Sequence, residues 1–180
     1  MLKTIPQVLA VMTLASHVIF AAFFVLFALD RAKVVKNGIK RLRRTIEPYS
    51  YMLLFGGTLL ATLGSLFFSE ILHFPPCELC WFQRIMMYPQ PIMLYIATLR
   101  NERVLTPYLL VINIIGIAIS TYHYAIQRFP ALTITNCSVK GGVSCIKGYE
   151  FYFGYISIPL MAFTVFLFNI IILSLFTRKD

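Results

Sequence analysis

Charge is what this sequence has least of. Only 13% of its 180 residues are Asp, Glu, Lys or Arg, where an ordinary soluble domain carries about a quarter. Acidic residues number 7 against 16 Lys and Arg, a formal net charge of +9. A nucleic-acid-binding domain would spread such charge over one folded, soluble face. Here it falls in short clusters between long apolar runs, an arrangement suited to phospholipid headgroups and to orienting spanning helices. A nucleic-acid role is thereby excluded. No segment is left that would fold as a water-soluble domain of any size, so chemistry is confined to short loops or to a helix bundle. Cysteine is scarce, four in all, and no haem or flavin motif is present to accept electrons.

What is abundant is apolar: 59% of the residues, with a mean hydropathy of +0.78. A hydrocarbon core of about 30 Å needs roughly 20 helical residues to cross it. Five runs meet that length, near Ile5–Leu29, Tyr49–Leu72, Trp81–Leu99, Thr106–Ile126 and Tyr155–Phe176. The expected fold is an all-α integral membrane protein. Pro89 and Pro91 should kink the third span, and neighbouring groups can satisfy the carbonyls they free. Gly57, Ala61 and Ser65 recur at four-residue steps on the second span and read as helix packing.

With five spans, Arg31, Lys33, Lys36, Lys40, Arg41, Arg43 and Arg44 share one side with Arg100, Arg103, Arg178 and Lys179. The other side has Lys3, Arg128, Lys140 and Lys147, with Arg84 near the boundary. Excess Lys and Arg in short loops marks the cytoplasmic face. The N-terminus is therefore expected outside and the C-terminus in the cytoplasm, with the loops around 72–80 and 127–154 facing outward. A cleaved signal peptide is the alternative for the first run. Its apolar part is too long, no A-x-A site precedes Asp30, and cleavage would strand the most basic linker outside. The linker itself reads as a solvated anchor without chemistry.

All four cysteines, Cys77, Cys80, Cys137 and Cys145, fall in the two outward loops. On the oxidising side of a membrane, disulfides are the default expectation, and four cysteines allow three pairings that sequence does not choose among. Three readings compete: a redox pair of pairs, two structural staples, or a four-cysteine zinc site, for which the seven residues between Cys137 and Cys145 are a wide spacing. The first pair sits in His73-Phe-Pro-Pro-Cys77-Glu-Leu-Cys80-Trp-Phe-Gln83-Arg84. Pro75 and Pro76 suit the first turn of a helix and not its interior, so the third span should begin there. Cys77 and Cys80 would then lie in its first turns, where unpaired N–H groups and the helix dipole favour the reactive thiolate. Arg84, four residues past Cys80 on the same face, can hold a thiolate or donate to an oxyanion. Its bland alternative is an interfacial side chain reaching for headgroups. A staple needs neither the helix start nor the arginine.

The run Cys77-Glu-Leu-Cys80-Trp-Phe-Gln83-Arg84, followed by Met87-Tyr88-Pro89, resembles the signature of the disulfide-bond-formation protein B (DsbB) family, and particularly its short BdbC-like members. Gly154-Tyr-Ile-Ser-Ile-Pro159-Leu is similar to the family's last span. The resemblance covers about Tyr49 to Phe176. It implies a DsbB-like four-helix transmembrane domain over 49–180, and sets 1–48 apart as an extra N-terminal transmembrane helix with a basic cytoplasmic linker. It further implies a thiol:quinone oxidoreductase in a bacterial cytoplasmic (inner) membrane. Its partners would be a DsbA-like thioredoxin-fold thiol oxidase and the pool of ubiquinone or menaquinone. By the same resemblance Cys77 and Cys80 reduce the quinone, with Cys80 supplying the thiolate that contacts it and Arg84 stabilising both. Cys137 meets the partner and Cys145 relays electrons to Cys77. Vitamin K epoxide reductases use similar logic, but there the quinone-facing C-x-x-C comes late in the chain.

Gln83 and His123 complete the expected cofactor-binding set with Arg84. His123, at the outer end of the fourth span, is expected at the depth of Arg84, where it can hydrogen-bond a quinone carbonyl or move a proton. Its alternative is a polar residue of the aromatic belt formed with Tyr122 and Tyr124. His17 in the first span and His73 in the loop read as structural. No metal ligand is assigned.

Overall fold

A computed structural model describes residues 4–35, 37–100, 103–133, 144–146 and 151–176. Helix α1 spans Thr4–Arg31, and its 28 residues are more than a bilayer core requires. Most of its side chains face outward, as a lipid-facing helix allows; Pro6, Ala10 and Thr13 are buried. The chain then reverses through Lys33 and Asn37, both at positive φ, and the Asp30 carboxylate accepts the first free N–H of the next helix, Gly38 N, at 2.8 Å.

That helix, α2 (Gly38–Ile46), was not foreseen in the basic linker. Leu42 and Ile46, one turn apart, pack against the core while Lys40, Arg41 and Arg44 point elsewhere. A 3₁₀ turn, Glu47–Tyr49, leads directly into α3 (Ser50–Leu66), so the path Gly38–Ile71 is helical throughout. Glu47 accepts from Arg103 at 3.1 Å, and Tyr51 and Thr106 share a 2.6 Å hydroxyl contact. These contacts put the basic linker and the loop before Thr106 at the same end of the bundle.

The third expected span is built from two consecutive helices, α4 (Glu78–Met87) and α5 (Pro89–Arg100). Pro89 and Pro91 lack the N–H groups that would bond back across Tyr88, which keeps helical angles (φ −64°, ψ −33°). Gln90 Nε2 donates to Met86 O inside the interrupted turn at 2.9 Å. Helices α6 (Thr106–Arg128) and α7 (Ile158–Leu175) make the most extensive pairing. Their closeness depends on Gly116, where a Cβ would come within 2.5 Å of the Phe166 ring. Four of these helices are by themselves long and apolar enough to cross a membrane: α1, the continuous Gly38–Ile71 path, α6 and α7.

The bundle core has two parts. At the linker end Tyr51, Leu54, Leu94, Leu109, Leu173 and Phe176 pack together. Midway, Gln90, Asn113 and Asn169 are almost wholly buried on α5, α6 and α7. Asn113 Nδ2 donates to Gln90 Oε1 (3.0 Å) and to Leu109 O (2.7 Å), and Asn169 Nδ2 donates to Gln90 Oε1 (3.1 Å) and Asn113 Oδ1 (3.0 Å). In hydrocarbon such amides have no water to fall back on, so the three helices are held in one register by them. Asn113→Leu should therefore lower stability by about 1–3 kcal/mol, since each interhelical bond contributes roughly 0.6–2 kcal/mol. Thermal unfolding in detergent checks this; a variant as stable as the parent would show the cluster to be dispensable.

Candidate active site

The site starts where α3 loosens. Its last turn widens into a π-helical segment, Phe67–Ile71, a feature common near functional positions. His73 follows at φ 54°, the Phe68 and Phe74 rings stack 6.1 Å apart, and the two prolines carry the chain on outside any helix. The prolines were expected in the first turn of the next helix. They instead precede it, and Cys77 is the N-cap, with φ −74° and ψ 172°.

Capping fixes the sulfur. Cys80 N–H donates to Cys77 Sγ at 3.4 Å, and the two sulfurs are 3.0 Å apart as free thiols. Bonding them requires an approach of about 1 Å, to the usual disulfide length near 2.05 Å. Two thiolates on a tetrahedral zinc, at about 2.3 Å each, would sit about 3.8 Å apart. The spacing thus favours S–S chemistry, although Cys77, Cys80 and His123 also form a set of ligand atoms within 4.8 Å of one another.

His123 sits at the level of Gln83, facing a sulfur. It does not line the cavity described below; it lies behind Cys77, 1% exposed, with Nε2 3.6 Å from Cys77 Sγ. Gln83 Nε2 stands 3.0 Å from His123 Nδ1, and Gln127 Nε2 3.4 Å from His123 Nε2. A neutral imidazole has one N–H and one lone pair, so both ring nitrogens cannot accept from amide groups. Among the described residues Gln127 Oε1 is buried without a partner. Turning that amide over gives the oxygen the Nε2–H, an assignment that fits the whole network. His123 then accepts from Gln83 at Nδ1 and presents its N–H to Cys77 and Gln127. The cause of this placement is the rotation of α6 about its axis, which depth in the membrane does not reveal.

Arg84 is held by α3 and not by either sulfur. Nε donates to Ser65 Oγ at 3.1 Å and Nη2 to Ser65 O at 3.2 Å. The Trp81 and Tyr88 rings lie 5.3 and 5.9 Å from the guanidinium, and Tyr88 O–H also reaches Ser65 Oγ at 3.2 Å. Among the described residues Nη1 has no hydrogen bond, so the cation is anchored with donor capacity left over.

Beside it lies a cavity of 310 Å³, mostly apolar, between α1, α3, α4 and α7. Cys80, Gln83 and Arg84 line its α4 wall; Gly57, Ala61, Gly64 and Ser65 line its α3 wall. The small residues of the second span, read from sequence as packing, therefore make room as well as contact. Cys77 is turned the other way. With Ile126 it forms a buried cluster that includes Cys145, which is 1% exposed and disulfide-bonded. Cys137 lies outside the described residues. Ser65 was read from sequence only as packing, and Tyr88 and Gln127 had no role assigned, though Tyr88 belongs to the quoted motif and Gln127 follows His123 by one helical turn.

The profile of the family described as Disulfide bond formation protein DsbB matches residues 47–176. The chain belongs to the DsbB family. It is 42% identical over 125 residues to Probable disulfide formation protein C 1 of Bacillus cereus, covering 69% of this chain and 89% of that one. Disulfide bond formation protein C of Bacillus subtilis is 45% identical over 117 residues, 65% of this chain and 84% of the relative. Probable disulfide formation protein of Oceanobacillus iheyensis is 38% identical over 142 residues, 79% and 97% respectively. No solved structure matches. As a DsbB-family member the chain is a multi-pass membrane protein of disulfide-bond formation with disulfide oxidoreductase activity. The match takes in α3 to α7 and leaves out α1 and α2.

If the imidazole supports the Cys77 thiolate, His123→Phe should slow alkylation of Cys77 at neutral pH by about tenfold. Iodoacetamide kinetics on the reduced protein, read site by site by mass spectrometry, test this. Equal rates in variant and parent would remove His123 from the support of that sulfur.

Proposed function

We propose that this DsbB-family protein is a dithiol:quinone oxidoreductase. It reoxidises a DsbA-like thioredoxin-fold partner and passes the electrons to a membrane ubiquinone or menaquinone. One observation carries the reading: Cys80 and the anchored Arg84 line the same apolar cavity, while Cys77, the other half of the pair, is packed against Cys145. The inner pair thus has one sulfur toward an electron source and one toward a place for the acceptor. The cavity suits a flat, largely apolar ring: its volume is at the lower end of the range for small-molecule sites, and its few polar groups converge on one side.

In sequence, a partner thiolate attacks the Cys137–Cys145 disulfide, most directly at Cys137. The partner's second thiol resolves the mixed disulfide, so the partner leaves oxidised and the outer pair is left as two thiols. Cys145 as thiolate then attacks Cys77 of the oxidised inner pair, forming a Cys77–Cys145 bond and releasing Cys80 as the thiolate at the cavity wall; Cys137 resolves that bond, which restores the outer disulfide and leaves Cys77 and Cys80 as the dithiol whose two electrons and two protons the acceptor would take. The His123 N–H supports charge on Cys77 when that sulfur is the leaving or resting anion. Arg84 keeps the Cys80 side of the site positive, and donates to an acceptor oxygen placed beside it. A bound quinone supplies a two-electron, two-proton acceptor. The chain's part is to bring the thiolate, the cation and the proton-bearing side chains to it and to exclude water. The charge distribution along the sequence supports a cysteine end facing outward and the α2 end facing the cytoplasm.

Two structural staples fit less well, since a staple has no use for an imidazole clamped behind one sulfur or an anchored arginine beside the other. With reduced partner under anaerobic conditions, Cys80→Ala should abolish the fall in quinone absorbance while unfolding normally. Arg84→Ala should raise KM for quinone by about tenfold or more, with a smaller change for the partner. Turnover by Cys80→Ala would sink the proposal, and a KM effect on the partner alone would move Arg84 to the docking surface.

A further inference from the structure

Helix α1 lies outside the family match, yet it is one of the four walls of the cavity. Leu9, Met12, Thr13 and Ser16 line it opposite the walls of α3, α4 and α7. The approach is close: a Cβ on Gly64 of α3 would lie 3.3 Å from Leu9 Cδ1. The Bacillus cereus relative is 89% covered by its alignment and the Oceanobacillus relative 97%. What remains of either is too short to hold a 28-residue helix.

The wall is also latched. His17 Nε2 is 3.0 Å from Thr164 Oγ1, and His17 Nδ1 is 3.2 Å from Tyr155 Oη. Thr164 spends its own hydroxyl proton on Leu160 O at 2.8 Å, so its oxygen accepts from His17 Nε2–H and the Tyr155 hydroxyl donates to Nδ1. Both ring nitrogens of a histidine in the middle of a spanning helix are thereby paired. That is an arrangement for holding a neutral imidazole in a place where polar groups persist only with a use. Thr164 itself lines the cavity, so the latch and the wall are one structure. Thr13 and Ser16 donate their hydroxyl protons to Leu9 O and Met12 O, which leaves their oxygens as acceptors on the cavity side of an otherwise apolar helix.

We propose that α1, held by His17, is a built-in fourth wall of the quinone site, where Thr13 faces the ligand and controls its retention. This rests on the quinone reading above. It adds that residues outside the family domain belong to the binding site, and that the route between cavity and bilayer on this side is closed by α1.

The test uses the full-length protein in nanodiscs with a photoactivatable azido-quinone, mapping labelled peptides by mass spectrometry, beside steady-state kinetics. Label should appear in α1 over residues 9–16 as well as in α4. Thr13→Phe, which fills the cavity from α1, should raise KM for quinone about tenfold with KM for the partner within about twofold, and should lose the α1 label. His17→Leu should speed loss of prebound quinone on dilution. Label confined to α3, α4 and α7, with unchanged quinone KM in both variants, would overturn the proposal while leaving the oxidoreductase intact. Parent protein that neither reduces nor is labelled by any quinone would overturn both. Labelling of the parent decides the matter even where a variant does not fold.

Discussion

Two prolines in a row have no N–H to offer, so the helical path that leaves α3 cannot run through Pro75 and Pro76. Helix α4 has to begin afresh, and the residue at its beginning is Cys77. From this one interruption the rest of the site follows. The first N–H groups of α4 need acceptors, and a sulfur supplies one of them. The three-residue step from Cys77 to Cys80 is most of a turn, which brings the second sulfur to 3.0 Å from the first. One turn further on, Arg84 faces α3 at the height of Ser65, and the cavity opens between them.

The same interruption divides the pair by environment. As cap, Cys77 turns into the bundle toward His123 and Cys145; as a first-turn residue, Cys80 faces the cavity. In the dithiol:quinone reading proposed above, such a split gives each sulfur its own partner. In that reading the two sulfurs exchange partners without either chemistry reaching the other's medium. On the inner side Gln83 and Gln127 flank His123.

Because hydrocarbon offers no hydrogen bonds, each polar side chain inside the bundle has to be answered by another. Gln90, Asn113 and Asn169 answer one another, Ser65 answers Arg84, and Tyr155 and Thr164 answer His17. These links set the rotation of each helix about its axis. They explain how small bulk changes on α3, such as Gly57 and Gly64, become space at the site and not a loose contact.

The positions of the apolar runs, the placing of Cys77 and Cys80 beside a helix start, and the break in helix at Pro75 and Pro76 were determined by the sequence itself, because hydropathy and proline act locally. The C-x-x-C followed by Gln83 and Arg84 was legible for the same reason: one helical turn places its members whatever surrounds them. Tertiary structure alone decided that His123 stands behind a sulfur and not at the cavity, that Ser65 holds Arg84, and that α1 lines the cavity on its fourth side. Those facts depend on helix rotation and on which helix neighbours which. In a membrane an apolar residue facing lipid and one facing the core are chemically alike, so periodicity along the chain carries little trace of either.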